Sequence, residues 1–215
     1  MKPRIKTSFN ATLILTFSLA AFHVFAQPKT TDASSHTTGN LKLFIDVHEF
    51  EPGKVSAQDL AQAHAKDLAV EGKYGVQILK YWVDENKGRI FCLASAPDSA
   101  ALLHTHAEAH GMLPSRIYEM SEGMAAKMKG NENLFLDIHY MGAGNVSTEA
   151  VAGAHQKDLA VEKKYGVNFI DYWVDQKEGV IMCLAQAKDS TDLIKTHKEA
   201  HGLLLAQVFE VTQKK

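Results

Sequence analysis

An internal duplication limits the folds open to this chain more than any other feature. Shifting the sequence by 91 residues aligns positions 43–121 with 134–212 without a gap, and 41 of the 79 aligned positions are identical. Such self-similarity is the signature of a repeated structural unit. We therefore expect two similar domains of about 80 residues each, near the small end of globular domain size.

The segments outside the repeats predict an exported protein. Residues 1–26 combine basic residues, an apolar run over 11–25 and small residues before position 27, which is typical of a secretory signal peptide. That run is too short for a membrane span, which needs about 20 residues. We therefore predict a periplasmic or secreted mature protein that is not membrane-bound. The predicted organisation is signal peptide 1–26, flexible leader 27–40, first repeat 41–121, linker 122–132 and second repeat 133–215.

Both repeats carry the same order of secondary-structure patterns. In the first repeat, an alternating strand precedes a capping box that begins at Ser56 and a helix that ends near Gly75. A predicted hairpin, a second helix from Asp98 to about Gly111 and a last strand follow. The order β-α-β-β-α-β is that of a ferredoxin-like unit. The predicted fold class is α+β, with two tandem ferredoxin-like units packed sheet against sheet as an intrachain pseudo-dimer.

Alternation along the first strand separates its side chains into two faces. The aliphatic set is expected to face the helices, and the other set to point toward the space between the two repeats. The first set comprises Leu43, Ile45, Val47, Leu134, Leu136 and Ile138. The second set comprises Phe44, Asp46, His48, Phe135, Asp137 and His139. This assignment predicts that two aspartates and two histidines meet near the pseudo-twofold axis.

Eight of the eleven histidines occupy equivalent positions in the two repeats, whereas His104 is matched by Lys195. The retained histidines are His48, His64, His106, His110, His139, His155, His197 and His201. The aspartates nearest them in the pattern are Asp46, Asp67, Asp137 and Asp158. Imidazole and carboxylate together form a ligand set for divalent metals, and spacing of four residues on a helix brings two histidines within reach of one ion. The same residues can instead edge the core and hydrogen-bond nearby groups.

Net charge limits the kinds of partner to be expected, and the two cysteines indicate the state of the thiols. Without its first 26 residues the chain has a net charge of −5 and no cluster of basic residues, so nucleic acid is not an expected partner. Cys92 and Cys183 are equivalent positions, and we expect them to be buried reduced thiols, with metal ligation as the alternative.

Five blocks in each repeat resemble a known family. They are Asp-Val/Ile-His, Ala-His-x-x-Asp-Leu, Lys-Tyr-Gly-Val, Tyr-Trp-Val-Asp and His-x-Glu-Ala-His-Gly, with the last varied only at its second position. They resemble the small nickel-binding, ferredoxin-like bacterial proteins long catalogued as a domain of unknown function. The resemblance implies a ferredoxin-like fold, nickel binding through histidine and carboxylate, and sequestration without known catalysis. Ligand chemistry alone admits zinc or copper as well.

Two functional hypotheses follow from these observations. The first is an exported protein that binds and sequesters a divalent metal through the histidines and aspartates of each repeat. The second is an enzyme or ligand-binding protein of the dimeric α/β-barrel type, in which Asp46 and His48, with Asp137 and His139, act as acid–base groups between the sheets. A third, simpler interpretation is an exported interaction domain. The sequence does not indicate whether the chain associates further.

Overall fold

The computed structural model of the protein describes residues 40–123, 125–130 and 132–214. The predicted signal peptide and all but the last residue of the predicted leader lie outside the described residues. In the first repeat the elements are β1 (Lys42–Glu49), α1 (Ala57–Val70), a 3-10 turn (Glu71–Tyr74), β2 (Gln77–Asp84), β3 (Arg89–Ala96), α2 (Ser99–Ala109) and β4 (Arg116–Glu122). In the second repeat they are β5 (Asn133–Tyr140), α3 (Thr148–Tyr165), β6 (Asn168–Asp175), β7 (Val180–Ala187), α4 (Ser190–Ala200) and β8 (Gln207–Lys214).

Local sequence determines where the helices begin and end. Ser56 and Asp59 form the predicted capping box at the start of α1, and Asp98 accepts a backbone hydrogen bond at the start of α2. Gly75 and Gly166 end the first helical segment of each repeat with φ of 68° and 67°. This left-handed conformation favours glycine, so the predicted stop at Gly75 is confirmed, and Gly166 has the same role in the second repeat.

The eight strands form one closed barrel in the order β1-β3-β2-β8-β5-β7-β6-β4. Within each repeat the strand order is that of a ferredoxin-like sheet, as predicted. The edge strands of the two sheets pair with each other, β2 with β8 and β4 with β6. The tandem units therefore form an intrachain pseudo-dimer in which each repeat supplies half of the barrel.

Apolar side chains fill the barrel interior. Trp82 and Trp173 are fully buried and their ring centroids lie 5.4 Å apart. Phe91 and Phe209 make a second aromatic contact between the repeats at 5.1 Å. None of the described helices combines the length and apolar character needed to cross a bilayer.

The predicted orientation of the first strand is wrong in both repeats. Ile45 and Val47 lie in the barrel core, whereas Asp46 and His48 contact residues of the helix layer. Leu134, Leu136 and Ile138 likewise lie inside the barrel. Alternation correctly identified which residues share a face, but it carries no information on which face meets the partner sheet. The closed barrel encloses the larger apolar core, so the aliphatic face points inward.

Candidate metal centre

Each repeat contains a polar cluster buried between its sheet and its two helices. In the first repeat, β1 supplies Asp46 and His48, α1 supplies Asp67, and α2 supplies His106 and, at its C-terminal cap, His110. Asp46 and His106 are each only 1% exposed. Charged groups are rarely buried this deeply unless they are paired.

A continuous chain of contacts links these five side chains. Asp46 lies 3.1 Å from Nε2 of His48 and 3.2 Å from Nε2 of His106. The opposite ring nitrogen of His106, Nδ1, lies 3.0 Å from Asp67, which in turn lies 3.2 Å from Nε2 of His110. His106 is therefore held between two carboxylates and donates a hydrogen bond from each ring nitrogen.

This arrangement favours a protonated imidazole at His106. Burial opposes the charge, but hydrogen bonds to Asp46 and Asp67 outweigh it and raise the pKa of His106 to about 10. Burial likewise opposes ionisation of Asp67, yet hydrogen bonds from His106 and His110 lower its pKa to about 2. The pKa of Asp46 is also lowered, because contacts with His106 and His48 outweigh its burial. The cluster thus holds two carboxylates around one strongly basic imidazole.

The cluster of the second repeat has the same residue types at equivalent positions, but the contact between its central histidine and the strand aspartate is longer. Nε2 of His197 lies 3.6 Å from Asp137, and Nδ1 lies 3.0 Å from Asp158 and 3.1 Å from Nε2 of His201. Burial opposes protonation of His197, but Asp137 and Asp158 raise its pKa to about 10. Both carboxylate oxygens of Asp137 are buried and lack hydrogen-bond geometry to any described residue, although His139 lies 3.3 Å away.

A small pocket opens beside this second cluster. Its volume is about 310 Å³ when the part open to solvent is included. The enclosed part is much smaller and has room for about one water molecule. The residues of its lining that can bind a metal ion are His139, His155, Asp158, Cys183, His197 and His201. The pocket therefore suits an ion better than an organic molecule, which usually needs about 300 Å³ or more of enclosed space.

The histidines of the first helices sit at the edge of the clusters. His64 packs on Tyr81 with ring centroids 4.5 Å apart, and His155 packs on Tyr172 at 4.7 Å. Burial lowers the pKa of both histidines, although nearby carboxylates oppose the shift. Nε2 of His155 is buried without a hydrogen-bond partner among the described residues.

Backbone contacts orient the last histidine of each cluster. The N–H of Met112 donates to Nδ1 of His110, and the N–H of Leu203 donates to Nδ1 of His201. In the neutral ring the proton then lies on Nε2, toward Asp67 or Asp158. A metal ion at Nε2 requires this histidine to give up its bond to the backbone.

Two neighbouring groups of possible ligand atoms can be distinguished in each cluster. The outer group is Asp67, His106 and His110, or Asp158, His197 and His201 in the second repeat. The inner group is Asp46, His48 and Cys92, or Asp137, His139 and Cys183 in the second repeat. Within each group, one ligand atom from each residue lies within 4.8 Å of the others.

Each inner group also contains a cysteine, for which metal ligation was the alternative interpretation. Cys92 lies directly opposite Asp46 across β1 and β3, and Cys183 lies opposite Asp137 across β5 and β7. Opposite residues in antiparallel strands share a face, so each thiol lies beside a carboxylate. The strand register is the signal that could have found them. Both cysteines are buried and free, as expected.

The predicted meeting of aspartates and histidines at the pseudo-twofold axis is wrong. Asp46 and His48 belong to one cluster and Asp137 and His139 to another, each beneath its own helices. Consequently these pairs do not line the space between the sheets, where the acid–base hypothesis placed them. Of the twelve predicted ligands, ten enter the two sets of groups, and His64 and His155 lie beside them.

Comparison with known proteins supplies a family match. The family model described as nickel responsive protein SCO4226-like matches residues 44–120 and 135–211. Among solved structures, SCO4226 from Streptomyces coelicolor A3(2) is 36% identical over 36% of this chain and 93% of its own, with a TM-score of 0.34.

Other solved structures are similar at much lower identity. A chlorite dismutase variant from Candidatus Nitrospira defluvii is 10% identical over 81% of this chain and 90% of its own, with a TM-score of 0.49. A protein described as a putative monooxygenase from Lactobacillus acidophilus NCFM is 6% identical over 80% of this chain and 94% of its own, with a TM-score of 0.45. No curated protein sequence matches the chain significantly.

Proposed function

This chain belongs to the SCO4226-like family of nickel-responsive proteins, and from that premise we propose that it binds a divalent metal ion, nickel first, in each repeat. In this proposal the protein is exported and sequesters the metal. Zinc and copper are the competing ions, because imidazole and carboxylate ligands accept all three.

The observation that carries the proposal is the charge of the buried clusters. Asp46 and Asp67 bring two negative charges into the protein interior, and the raised pKa of His106 supplies one positive charge against them. A divalent cation in place of the His106 proton would neutralise both carboxylates. Buried carboxylates that are not neutralised are costly, so this difference favours metal uptake.

The proposed ligands are those of the outer groups. His106 offers Nδ1 once its proton leaves, Asp67 offers a carboxylate oxygen, and His110 offers Nε2 after turning away from the Met112 N–H. Asp46 would then accept the remaining N–H of His106, which is the usual partner of a metal-bound histidine. In the second repeat the proposed ligands are Asp158, His197 and His201, and Asp137 would accept the remaining N–H of His197. The histidines that line the clusters are His48, His64, His139 and His155.

Calorimetric titration with nickel, zinc, copper and cobalt tests this proposal. We expect binding at micromolar concentration or tighter, and at least about a 10-fold loss of affinity in the His110→Ala, His201→Ala double variant. His104→Ala is the matched control, since His104 is exposed on the same helix as His106 and has no histidine counterpart. Binding no tighter than millimolar, or equal losses in both variants, would contradict the proposal.

Export is tested separately by expression in a bacterial host with a secretion pathway. The proposed signal peptide covers residues 1–26, so the processed protein should begin at Gln27 and be found outside the cytoplasm. Intact-mass measurement of the purified protein gives its first residue. A cytoplasmic protein that retains Met1 would contradict export without affecting the metal proposal.

A further inference from the structure

The inner group of the second repeat has ligand atoms beyond the one Asp137 oxygen that would accept from His197. Asp137 is fully buried, His139 is 4% exposed and Cys183 is 7% exposed. Strand pairing fixes their positions, because Asp137 and Cys183 are directly opposite on β5 and β7 and His139 follows two residues after Asp137 on the same face. Three different ligand types therefore converge on rigid strands rather than on a loop.

These atoms are also unsatisfied. Both oxygens of Asp137 and Nδ1 of His139 are buried without a hydrogen bond of good geometry to any described residue. The nearest donors to Asp137 are Nε2 of His139 at 3.3 Å and Nε2 of His197 at 3.6 Å. Buried polar atoms are rarely left unpaired, and a bound ion is one of the groups that can satisfy them. The unpartnered atoms point to a ligand near Asp137.

The pocket of the second repeat gives access to this inner group. His139 and Cys183 line it together with Asp158, His197 and His201 of the outer group. One opening thus reaches both groups. A metal ion that enters toward the outer group is already close to the thiol of Cys183.

We propose that Asp137, His139 and Cys183 form a second metal position in the second repeat, in which the ion is bound through a thiolate. This inference rests on the proposed function, because the ion is the same divalent metal. On binding, the S–H bond of Cys183 breaks, its proton leaves to solvent, and a sulfur–metal bond forms without any change in oxidation state. Thiolate is a softer ligand than imidazole or carboxylate, so this position discriminates against calcium and magnesium.

The first repeat provides a natural comparison. There, one oxygen of Asp46 accepts a hydrogen bond from His106, and only its Oδ1 is unpartnered among the described residues. Nδ1 of His48 is not among the unsatisfied atoms. Cys92 therefore stands beside one buried unpartnered atom, whereas Cys183 stands beside three, and we assign the thiolate position to the second repeat alone.

Cobalt titration followed by absorption spectroscopy tests the assignment. Cobalt(II) bound to a thiolate gives an intense charge-transfer band in the near ultraviolet, which imidazole and carboxylate ligands do not produce. We expect this band in the unaltered chain and its loss, with one fewer bound ion, in Cys183→Ser. Cys92→Ser is the matched control and should keep both the band and the stoichiometry.

The outcomes separate this inference from the proposed function. Cobalt binding without the band, or a band that survives Cys183→Ser, would overturn the thiolate position and leave the outer-group metal site intact. No cobalt or nickel binding at all would overturn both. Nickel-edge X-ray absorption of the unaltered chain is an independent check that needs no variant, since it should detect sulfur among the ligands. Near-ultraviolet circular dichroism verifies that Cys183→Ser is folded.

Discussion

At the scale of single residues, the two histidines held between carboxylates make the clearest prediction. The pKa values of His106 and His197 are about 10 in the folded protein, against about 6.5 in an unfolded chain. A group whose pKa is raised by folding stabilises the protein fully below its unfolded pKa, and this contribution disappears as the pH rises through the folded pKa.

We therefore expect the metal-free protein to lose stability between about pH 6.5 and pH 10, by several kcal/mol, since each pKa unit is worth about 1.4 kcal/mol. Urea denaturation of metal-free protein across this range measures the change. The His106→Gln, His197→Gln double variant should be less stable near pH 6 and should show little further loss by pH 10. A double variant that loses as much stability over this range as the unaltered protein would contradict the assignment of the buried charge.

At the scale of secondary-structure elements, the two equivalent helices α1 and α3 differ in their N-terminal caps. At the start of α1, the side chains of Ser56 and Asp59 each accept a hydrogen bond from the other residue's backbone N–H. At the start of α3, the Ser147 side chain accepts from the backbone N–H of Ala150, but the methyl group of Ala150 cannot accept a bond in return. Ser56→Ala should cost about 1 to 2 kcal/mol and Ser147→Ala about 0.5 to 1 kcal/mol. Urea denaturation at pH 7 measures both. Equal costs would show that the additional hydrogen bond from the Ser56 hydroxyl to the Asp59 carboxylate contributes nothing.

The elements themselves were largely predictable from sequence, but their faces were not. Caps such as Ser56 and Asp98 and stops such as Gly75 are local signals, so the order and approximate bounds of strands and helices follow from neighbouring residues. Ile45 faces the barrel interior and Asp46 faces the helices. Which of the two faces points inward depends on how two sheets that are distant in sequence close into a barrel. The equivalence of the repeats identified the histidines, whereas the thiols needed the strand register.

At the scale of the whole molecule, the seam between β4 and β6 carries an unusual acid. Asp171 is 1% exposed, and burial together with the nearby Glu122 raises its pKa to about 7, while Lys80 opposes the shift. Its Oδ1 accepts from the N–H of Tyr172, and its Oδ2 lacks a partner among the described residues. Because folding raises this pKa, ionisation of Asp171 destabilises the fold increasingly as the pH rises from about 4 to 7.

Asp171→Asn removes that cost without changing the size of the side chain. We expect the variant to be more stable than the unaltered protein at pH 8, by about 1 kcal/mol or more, and little changed at pH 4. Thermal denaturation at the two pH values measures the difference. An equal effect at both pH values would mean that folding does not raise the pKa of the Asp171 carboxyl.

Because the barrel closes within one chain, its two halves can differ in sequence at equivalent positions. In a dimer of identical subunits, a residue at a seam is matched by its own copy across the axis, so every substitution appears twice. Here Lys80 and Asp171 are equivalent positions in the repeats, yet one is basic and the other acidic. Covalent linkage also makes pairing of the halves intramolecular, and so independent of protein concentration. Selection can therefore act on one half at a time, keeping one buried polar cluster while it reshapes the other.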